Sequence, residues 1–253
     1  MKNTFVINYL PEAAKQYAKE GWAIVAIDVI RATTLAVTAV SLGRKCFPVD
    51  SVESAKRMAQ RLLDPLLAGE VNGVMPDGFE MNNSPAELVL LEDSRPLIML
   101  SSSGTRLLAN ARGCDILYLS CFRNSGAVAD RLAAGEHAKI ALIGAGSRGE
   151  FREEDQIGCA WIGRCLLKAG YASKNAATTE VVKRWGEAKA AACLVSHSVE
   201  YLRRTNQIAD LDFILEHVDD LDEVFVLRGH EVLPDSAPST AWQSDFVPAT
   251  DAI

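Results

Sequence analysis

The segment Ile27-Asp28-Val29-Ile30-Arg31-Ala32-Thr33-Thr34 sets a carboxylate, a guanidinium and two hydroxyls between an apolar strand and a helical run. Ligands of open α/β sheets sit beyond the carboxyl ends of strands, so Asp28 and Arg31 stand where chemistry usually occurs. A carboxylate there can hold Mg2+ through hard oxygens, and a guanidinium can fork onto phosphate or sulfonate. The competing reading is an Asp that caps the helix, with Arg31 salt-bridged to it. A second segment runs Leu67-Ala68-Gly69-Glu70-Val71-Asn72-Gly73 and continues to Gly78-Phe79-Glu80-Met81-Asn82-Asn83-Ser84-Pro85. Glu70 closes an apolar run, and the glycines after it let backbone amides approach an anion; the same residue types also build plain turns. In Ser101-Ser102-Ser103-Gly104-Thr105-Arg106, hydroxyls and amides gather at a helix start, which suits a bound anion or a redundant N-cap equally. Phe122-Arg123-Asn124-Ser125 repeats that arrangement.

The fourth segment is Gly144-Ala145-Gly146-Ser147-Arg148-Gly149-Glu150-Phe151-Arg152-Glu153-Glu154-Asp155. By letter it matches the Gly-x-Gly-x-x-Gly dinucleotide fingerprint. Four acids crowd the helix start, however, and would repel a pyrophosphate; the acidic residue expected about 20 positions later falls in helical sequence. Those acids suit a divalent cation instead. Ala145-Gly146-Ser147-Arg148-Gly149 is one residue away from a nucleophile elbow, so a serine acyl hydrolase at Ser147, with His197, His217 or His230 as base, is the alternative chemistry. No His-x-x-x-His helix supports zinc peptidase chemistry.

These residues need strand ends and helix starts to hold them. Short β-branched runs at residues 4–7, 23–27, 45–49, 97–100, 116–119, 140–143 and 224–227 predict strands. Helical periodicity at 33–42, 52–63, 84–91, 105–111, 125–134 and 154–169, with two or three further segments within 175–218, predicts the helices between them. The alternation gives an α/β fold with largely parallel or mixed sheets flanked by helices. Ser51 before Val52, and Ser84 before Pro85, read as helix N-caps. We expect an α/β domain over 1–170 carrying most motifs, with a mostly helical region over 171–253 completing the fold. Residues 234–253 lack periodicity and are expected to wrap or fray.

Composition narrows the function. With 26 Lys+Arg against 33 Asp+Glu, net charge −7, no general basic field exists to neutralise a nucleic-acid backbone, so a small-molecule partner is expected. The apolar runs fall well short of the roughly 20 residues a membrane helix needs. The start, Met1-Lys2-Asn3-Thr4-Phe5-Val6-Ile7, lacks a signal-peptide h-region and predicts a cytoplasmic protein. Six dispersed cysteines without a Cys-x-x-Cys pair read as small buried apolar residues. Nothing in the sequence fixes the oligomeric state, and a homo-oligomer stays open.

Taken together, Asp28-Val29-Ile30-Arg31-Ala32-Thr33-Thr34, Gly69-Glu70-Val71-Asn72-Gly73, Gly78-Phe79 with Asn83-Ser84-Pro85, Ser103-Gly104-Thr105 and Gly146 to Asp155 resemble the 2-phosphosulfolactate phosphatase family, the ComB-like proteins, over roughly residues 5–167. The resemblance implies a two-lobed architecture and Mg2+-dependent hydrolysis of (R)-2-phospho-3-sulfolactate to sulfolactate and phosphate, a step toward coenzyme M. On this basis Asp28, Glu70 and Asp155 are expected to hold Mg2+ directly or through water. Arg31 and the amides around Gly104, Thr105 and Gly146 would face the phosphate, with Thr33, Thr34, Asn83, Ser84, Ser103, Asn124 and Arg148 completing the substrate site. Glu87 or Glu154 would take a proton. An aspartyl-phosphate route lacks support, because Ile30 stands where Asp-x-Asp needs its second acid. The chain departs from the family pattern in three places. Ser101-Ser102-Ser103 replaces Thr-Thr-Asn, Glu80 replaces Asp, and Ser196-His197-Ser198-Val199 replaces Ser-His-Gly-Arg. These departures leave open another small phosphorylated carboxylic acid as substrate, or a non-catalytic anion-binding protein.

Overall fold

The computed structural model describes residues 3–237. Its strands are β1 (Thr4–Asn8), β2 (Ala23–Ile27), β3 (Cys46–Val49), β4 (Leu66–Gly69), β5 (Leu97–Leu100), β6 (Leu117–Ser120), β7 (Lys139–Gly144), β8 (Ala172–Ser173), β9 (Phe225–Arg228) and β10 (Glu231–Pro234). Its helices are α1 (Ala13–Lys19), α2 (Ala32–Ser41), α3 (Val52–Ala59), α4 (Pro85–Leu88), α5 (Gly104–Asn110), α6 (Ser125–Ala133), α7 (Glu153–Lys168), α8 (Ala176–Trp185), α9 (His197–Arg204) and α10 (Ile208–Glu216), with a 3-10 turn at Ala190–Val195. All seven expected strands form, within a residue at each end. The expected helices at 52–63 and 84–91 are shorter, because α3 stops at Ala59 and α4 is a single turn.

The strands make one sheet in the order β4-β5-β3-β10-β9-β6-β2-β7-β1-β8. β4, β5 and β3 are mutually parallel, as are β6, β2, β7, β1 and β8. Between these blocks lies the β9–β10 hairpin, antiparallel within itself and to both neighbours. Three antiparallel links in succession reverse the strand direction, so the two parallel blocks run in opposite senses along the sheet. The junction is thinly paired: β10 meets β3 only at Val232 and Cys46, and β9 meets β6 at two pairs. Pro48 in β3 has no amide to donate, which helps explain the short pairing there.

Side-chain packing supplies what the hydrogen bonds do not. Strands β2 and β6 are buried along their whole length, as strands covered on both faces must be. Helix α2 is buried from Ala32 to Ala39 with no polar stripe, because it lies between the blocks and contacts β3, β6 and β10 as well as α4 and α5. One core joins α1, α2 and α5 to strands of both blocks. A second packs α6, α7, α9 and α10 on the other face, and a small third lies under α3.

Four elements escape the sequence pattern. Helix α1 is seven residues of mixed polarity, β4 is four residues of the apolar run that Glu70 closes, β8 is two residues long, and β10 ends at Pro234, where the aperiodic sequence starts. Of the segment 234–253 expected to wrap or fray, Pro234 ends β10, and residues 238–253 lie outside the described residues.

Candidate active site

Strand β2 runs fully buried to Ile27, and Asp28 follows it at 5% exposure. Its Oδ1 accepts the Ala32 amide at 3.2 Å, so Asp28 does cap α2. A Cβ added to Gly104 would stand 2.3 Å from Asp28 Oδ2 and 2.3 Å from the Ala32 side chain. Glycine at 104 is therefore what lets the start of α5, beyond β5, close onto the end of β2. The carboxyl ends of the two opposed blocks meet at this contact.

Asp155, in the first turn of α7, turns back to the same place. Its Oδ1 accepts the Val29 amide at 2.9 Å and its Oδ2 the Gly146 amide at 3.0 Å. Beside it, Glu154 is 1% exposed, and its Oε2 is buried with no hydrogen-bond partner. Ser196 and Ser198, at the start of α9, lie against the Glu154 carboxylate. Burial, followed by the charges of Glu154 and Glu70, pushes the Asp28 carboxyl up to about 7. Burial and the Asp28 charge raise Asp155 well above the ordinary carboxylate range, and burial raises Glu154. These acids thus repel one another at close quarters.

Two guanidiniums border them. Arg31, 7% exposed, pairs through Nη1 with Asp210 Oδ2 and reaches Asn82 Oδ1 from Nη2 at 3.3 Å. Asp210 Oδ1 also accepts from Ser84 Oγ at 2.6 Å and from the Ala86 amide at 3.1 Å, tying α10 to α4 and to the Arg31 loop. Arg152 is held by the Phe151 carbonyl at 2.8 Å, and its charge lowers the Glu154 carboxyl against the burial that raises it. Glu87 stands near Arg31; burial and then the Asp210 charge raise its carboxyl.

Not every expected residue presents a free group here. Glu70 ties its own loop to the one after β5, Oε2 accepting the Gly73 amide at 2.6 Å and Oε1 the Ser102 amide at 2.7 Å, although the Glu70 charge is still felt at Asp28. The hydroxyls of Thr33 and Thr34 bond the Ser120 and Val29 carbonyls at 2.7 Å each, and Thr105 bonds the Ser101 carbonyl at 2.7 Å. Asn124 closes its own turn, accepting from the Cys121 amide and donating to the Leu119 carbonyl. The Gly146 amide is spent on Asp155. Ser84 caps α4 and bonds Asp210, whereas Asn83 keeps a buried Oδ1 with no partner. Ser103 stands at the N-cap of α5 without a side-chain bond to it.

Ser147 does not form an elbow. Its amide and carbonyl pair with Glu150 across a two-residue turn in which Arg148 and Gly149 both have positive φ, and α7 begins only at Glu153. Arg148 is exposed at the tip of that turn. His197 is exposed and stands 3.8 Å from Glu150, and His217 Nδ1 lies 2.8 Å from the Phe213 carbonyl. The acyl-hydrolase alternative loses its geometry.

Sequence reasoning missed Asp210, Asn82 and Arg152. Asp210 carried a signal, since it sits on the same helical stripe as Phe213 and Ile214, where an acid needs a buried partner. Helix α9 also closes onto the loop after β4, where Tyr201 Oη donates to the Gly73 carbonyl at 3.0 Å.

The residues can be asked whether they suit a divalent cation. Among the described residues, no three His, Cys, Asp or Glu side chains form a ready-made metal cage. Yet the donor set is hard oxygen, the acids raise one another, and Glu154 Oε2 lacks any partner. That fits a Mg2+ ion held by one or two carboxylates with waters and a ligand oxygen, its usual sparse ligation. It does not fit a closed cage of Asp28, Glu70 and Asp155.

A family profile described as 2-phosphosulpholactate phosphatase matches residues 8–230. The chain is 34% identical over 154 residues to a probable 2-phosphosulfolactate phosphatase of Pseudothermotoga lettingae, covering 60% of this chain and 63% of that protein. A probable 2-phosphosulfolactate phosphatase of Carboxydothermus hydrogenoformans is 34% identical over 155 residues, covering 61% of this chain and likewise 63% of its own length. One from Synechococcus sp. strain CC9605 is 30% identical over 199 residues, covering 74% of this chain and 82% of that protein.

Proposed function

The chain belongs to the 2-phosphosulpholactate phosphatase family, and from that membership we propose that it is a Mg2+-dependent phosphoric monoester hydrolase. Its substrate is 2-phospho-3-sulfolactate, cleaved to sulfolactate and phosphate, a step of the kind that leads to coenzyme M. The observation that supports this reading is the buried cluster of Asp28, Glu154 and Asp155, bordered by Arg31 and Arg152, where the carboxyl ends of the two blocks meet. A phosphorylated, sulfonated acid is polyanionic and would be repelled there unless a cation accompanied it.

Asp28, through Oδ2, would hold the ion, with Glu70 and Asp155 reaching it through water because amides already engage their oxygens. Bound there, Mg2+ supplies charge neutralisation of the phosphoryl oxygens and a more acidic water. Arg31, oriented by Asp210 and Asn82, would lie against a phosphate or sulfonate oxygen. Glu154 Oε2, buried and unpartnered, takes a proton from the attacking water as the bond between phosphorus and the ester oxygen breaks. The freed 2-hydroxyl oxygen takes up a proton in turn. α9 and α10, which carry Ser196, Ser198, Tyr201 and Asp210, cover the cluster and exclude water.

The test is phosphate release from racemic 2-phosphosulfolactate, with and without Mg2+, beside phospholactate, which lacks the sulfonate. Mg2+-dependent release selective for the sulfonated acid is expected. Equal release from both acids keeps the phosphatase and removes the substrate, and none from either leaves an anion-binding protein. Arg31→Lys keeps the charge but loses the planar fork, so a fall in kcat/KM of about a hundredfold is expected; unchanged kinetics would return Arg31 to a purely structural salt bridge.

A further inference from the structure

A cavity lies on the helical face of the larger block, and nothing in the proposed reaction uses it. It measures about 490 Å3 and is bounded by α6, α7, the segment from Gly186 through the 3-10 turn, and α10. The size falls in the range of small-molecule pockets. Trp161 and Arg164, six and nine residues after Asp155 on α7, line it, which places it roughly 9 to 14 Å along that helix from the acid cluster. We propose that this cavity binds a small organic anion with an apolar body, such as an aromatic carboxylate or sulfonate.

Arg164 pairs through Nη1 with Glu187 at 2.6 Å, but its Nε is buried with no hydrogen-bond partner. A buried guanidinium N–H left unpaired is costly, and an anionic oxygen is its natural partner. Lys189 lines the same cavity, is exposed, and makes no ion pair among the described residues. Each acid on the wall already has a donor. Glu187 is held by Arg164, and Asp219 Oδ1 accepts from Ser125 Oγ at 2.9 Å and the Gly126 amide at 2.8 Å, capping α6. Arg164 and Lys189 thus bring two positive charges to a wall whose acids already have donors. The rest of the lining is largely apolar: Leu215, Val218 and several alanines accompany the Trp161 indole. That indole is fixed by its Nε1 bond to the Ala188 carbonyl at 2.9 Å and by Phe122 at 4.8 Å, so the cavity has a rigid aromatic wall. Rigid aromatic walls with a few placed polar groups are how proteins hold amphipathic anions.

Cys165 also lines the cavity and is half-buried, which makes it a reporter of occupancy; Cys114 is equally half-buried and absent from this lining. The experiment measures alkylation of both thiols by iodoacetamide in the full-length protein, mapped by peptide mass spectrometry, with calorimetry alongside. The probes are benzoate and benzenesulfonate, with benzyl alcohol as the uncharged ring and acetate as the charge without a body. Benzoate is expected to slow Cys165 several-fold and leave Cys114 unchanged, with benzyl alcohol and acetate far weaker. Arg164→Met should weaken benzoate about tenfold, and Lys189→Gln about threefold. Should Arg164→Met fail to fold, the exposed Lys189→Gln decides. The proposal is overturned by an unprotected Cys165 at probe concentrations up to about 20 mM, where even a millimolar site is filled. It is equally overturned by benzyl alcohol binding as well as benzoate, or by unchanged affinity in the variants. None of these readouts depends on phosphatase activity.

Discussion

Burial and the charges of Glu154 and Glu70 push the Asp28 carboxyl up to about 7, so folding takes up a proton at this residue. The sign follows from linkage. A group whose pKa rises on folding lends stability that is fully present below its unfolded value near 4 and is lost as pH rises through about 7. Asp28→Asn keeps an oxygen for the Ala32 amide and removes the charge. In EDTA its stability at pH 8 should exceed the parent's by on the order of 2 kcal/mol, the two converging near pH 4, while turnover falls about a thousandfold. Urea denaturation at both pH values with a phosphate-release assay checks this; equal stability at pH 8 would mean that Asp28 is not strained by its neighbours. Gly104→Ala drives a methyl into Asp28 and Ala32 and should cost about 1–3 kcal/mol, with loss of turnover, read by the same two assays. At this scale the sequence was partly legible. Asp28, Arg31 and Asp155 stand at strand ends and helix starts, where position alone singles them out. Thr33, Thr34, Asn124 and Gly146 stand there too, but backbone groups or Asp155 consume their polar atoms, and residue type cannot reveal that.

Helices α4 and α10 meet at Asp210, which holds Arg31, Ser84 and the Ala86 amide with one carboxylate. Removing one partner of a buried ion pair leaves the other charge uncompensated. Asp210→Ala should therefore destabilise the protein by about 3–5 kcal/mol and raise KM through a misplaced Arg31, measured by urea denaturation and steady-state kinetics. A loss under about 1 kcal/mol would mean that water or Asn82 replaces the carboxylate. Helix caps were legible one by one: Ser51 Oγ accepts the Ser54 amide at 3.1 Å and Ser84 Oγ the Glu87 amide at 3.0 Å, both local contacts that spacing encodes. The Arg31–Asp210 pair spans 179 positions, and no local pattern connects them. Helix α1 and strand β10 were hidden for a different reason. Each is short and gains its stability from neighbours rather than from its own periodicity.

Across the whole molecule, the α/β alternation was readable, but the reversal between the two parallel blocks was not, because it rests on the β9–β10 hairpin and on its two short pairings with β3 and β6. A chain ending at residue 223 keeps eight of the ten strands and loses that hairpin. It should show secondary structure without a cooperative thermal transition, checked by circular dichroism and calorimetry; a sharp transition would mean that α2 alone joins the blocks. The hairpin also sets an order of events during synthesis. Every other strand among the described residues leaves the ribosome before it, yet it occupies the centre of the finished sheet. The nascent chain must carry the facing edges of β3 and β6 unpaired until residues 225–234 emerge, an interval in which those edges are open to any passing strand. The hairpin that arrives after the other described strands is the one that closes those two inner edges.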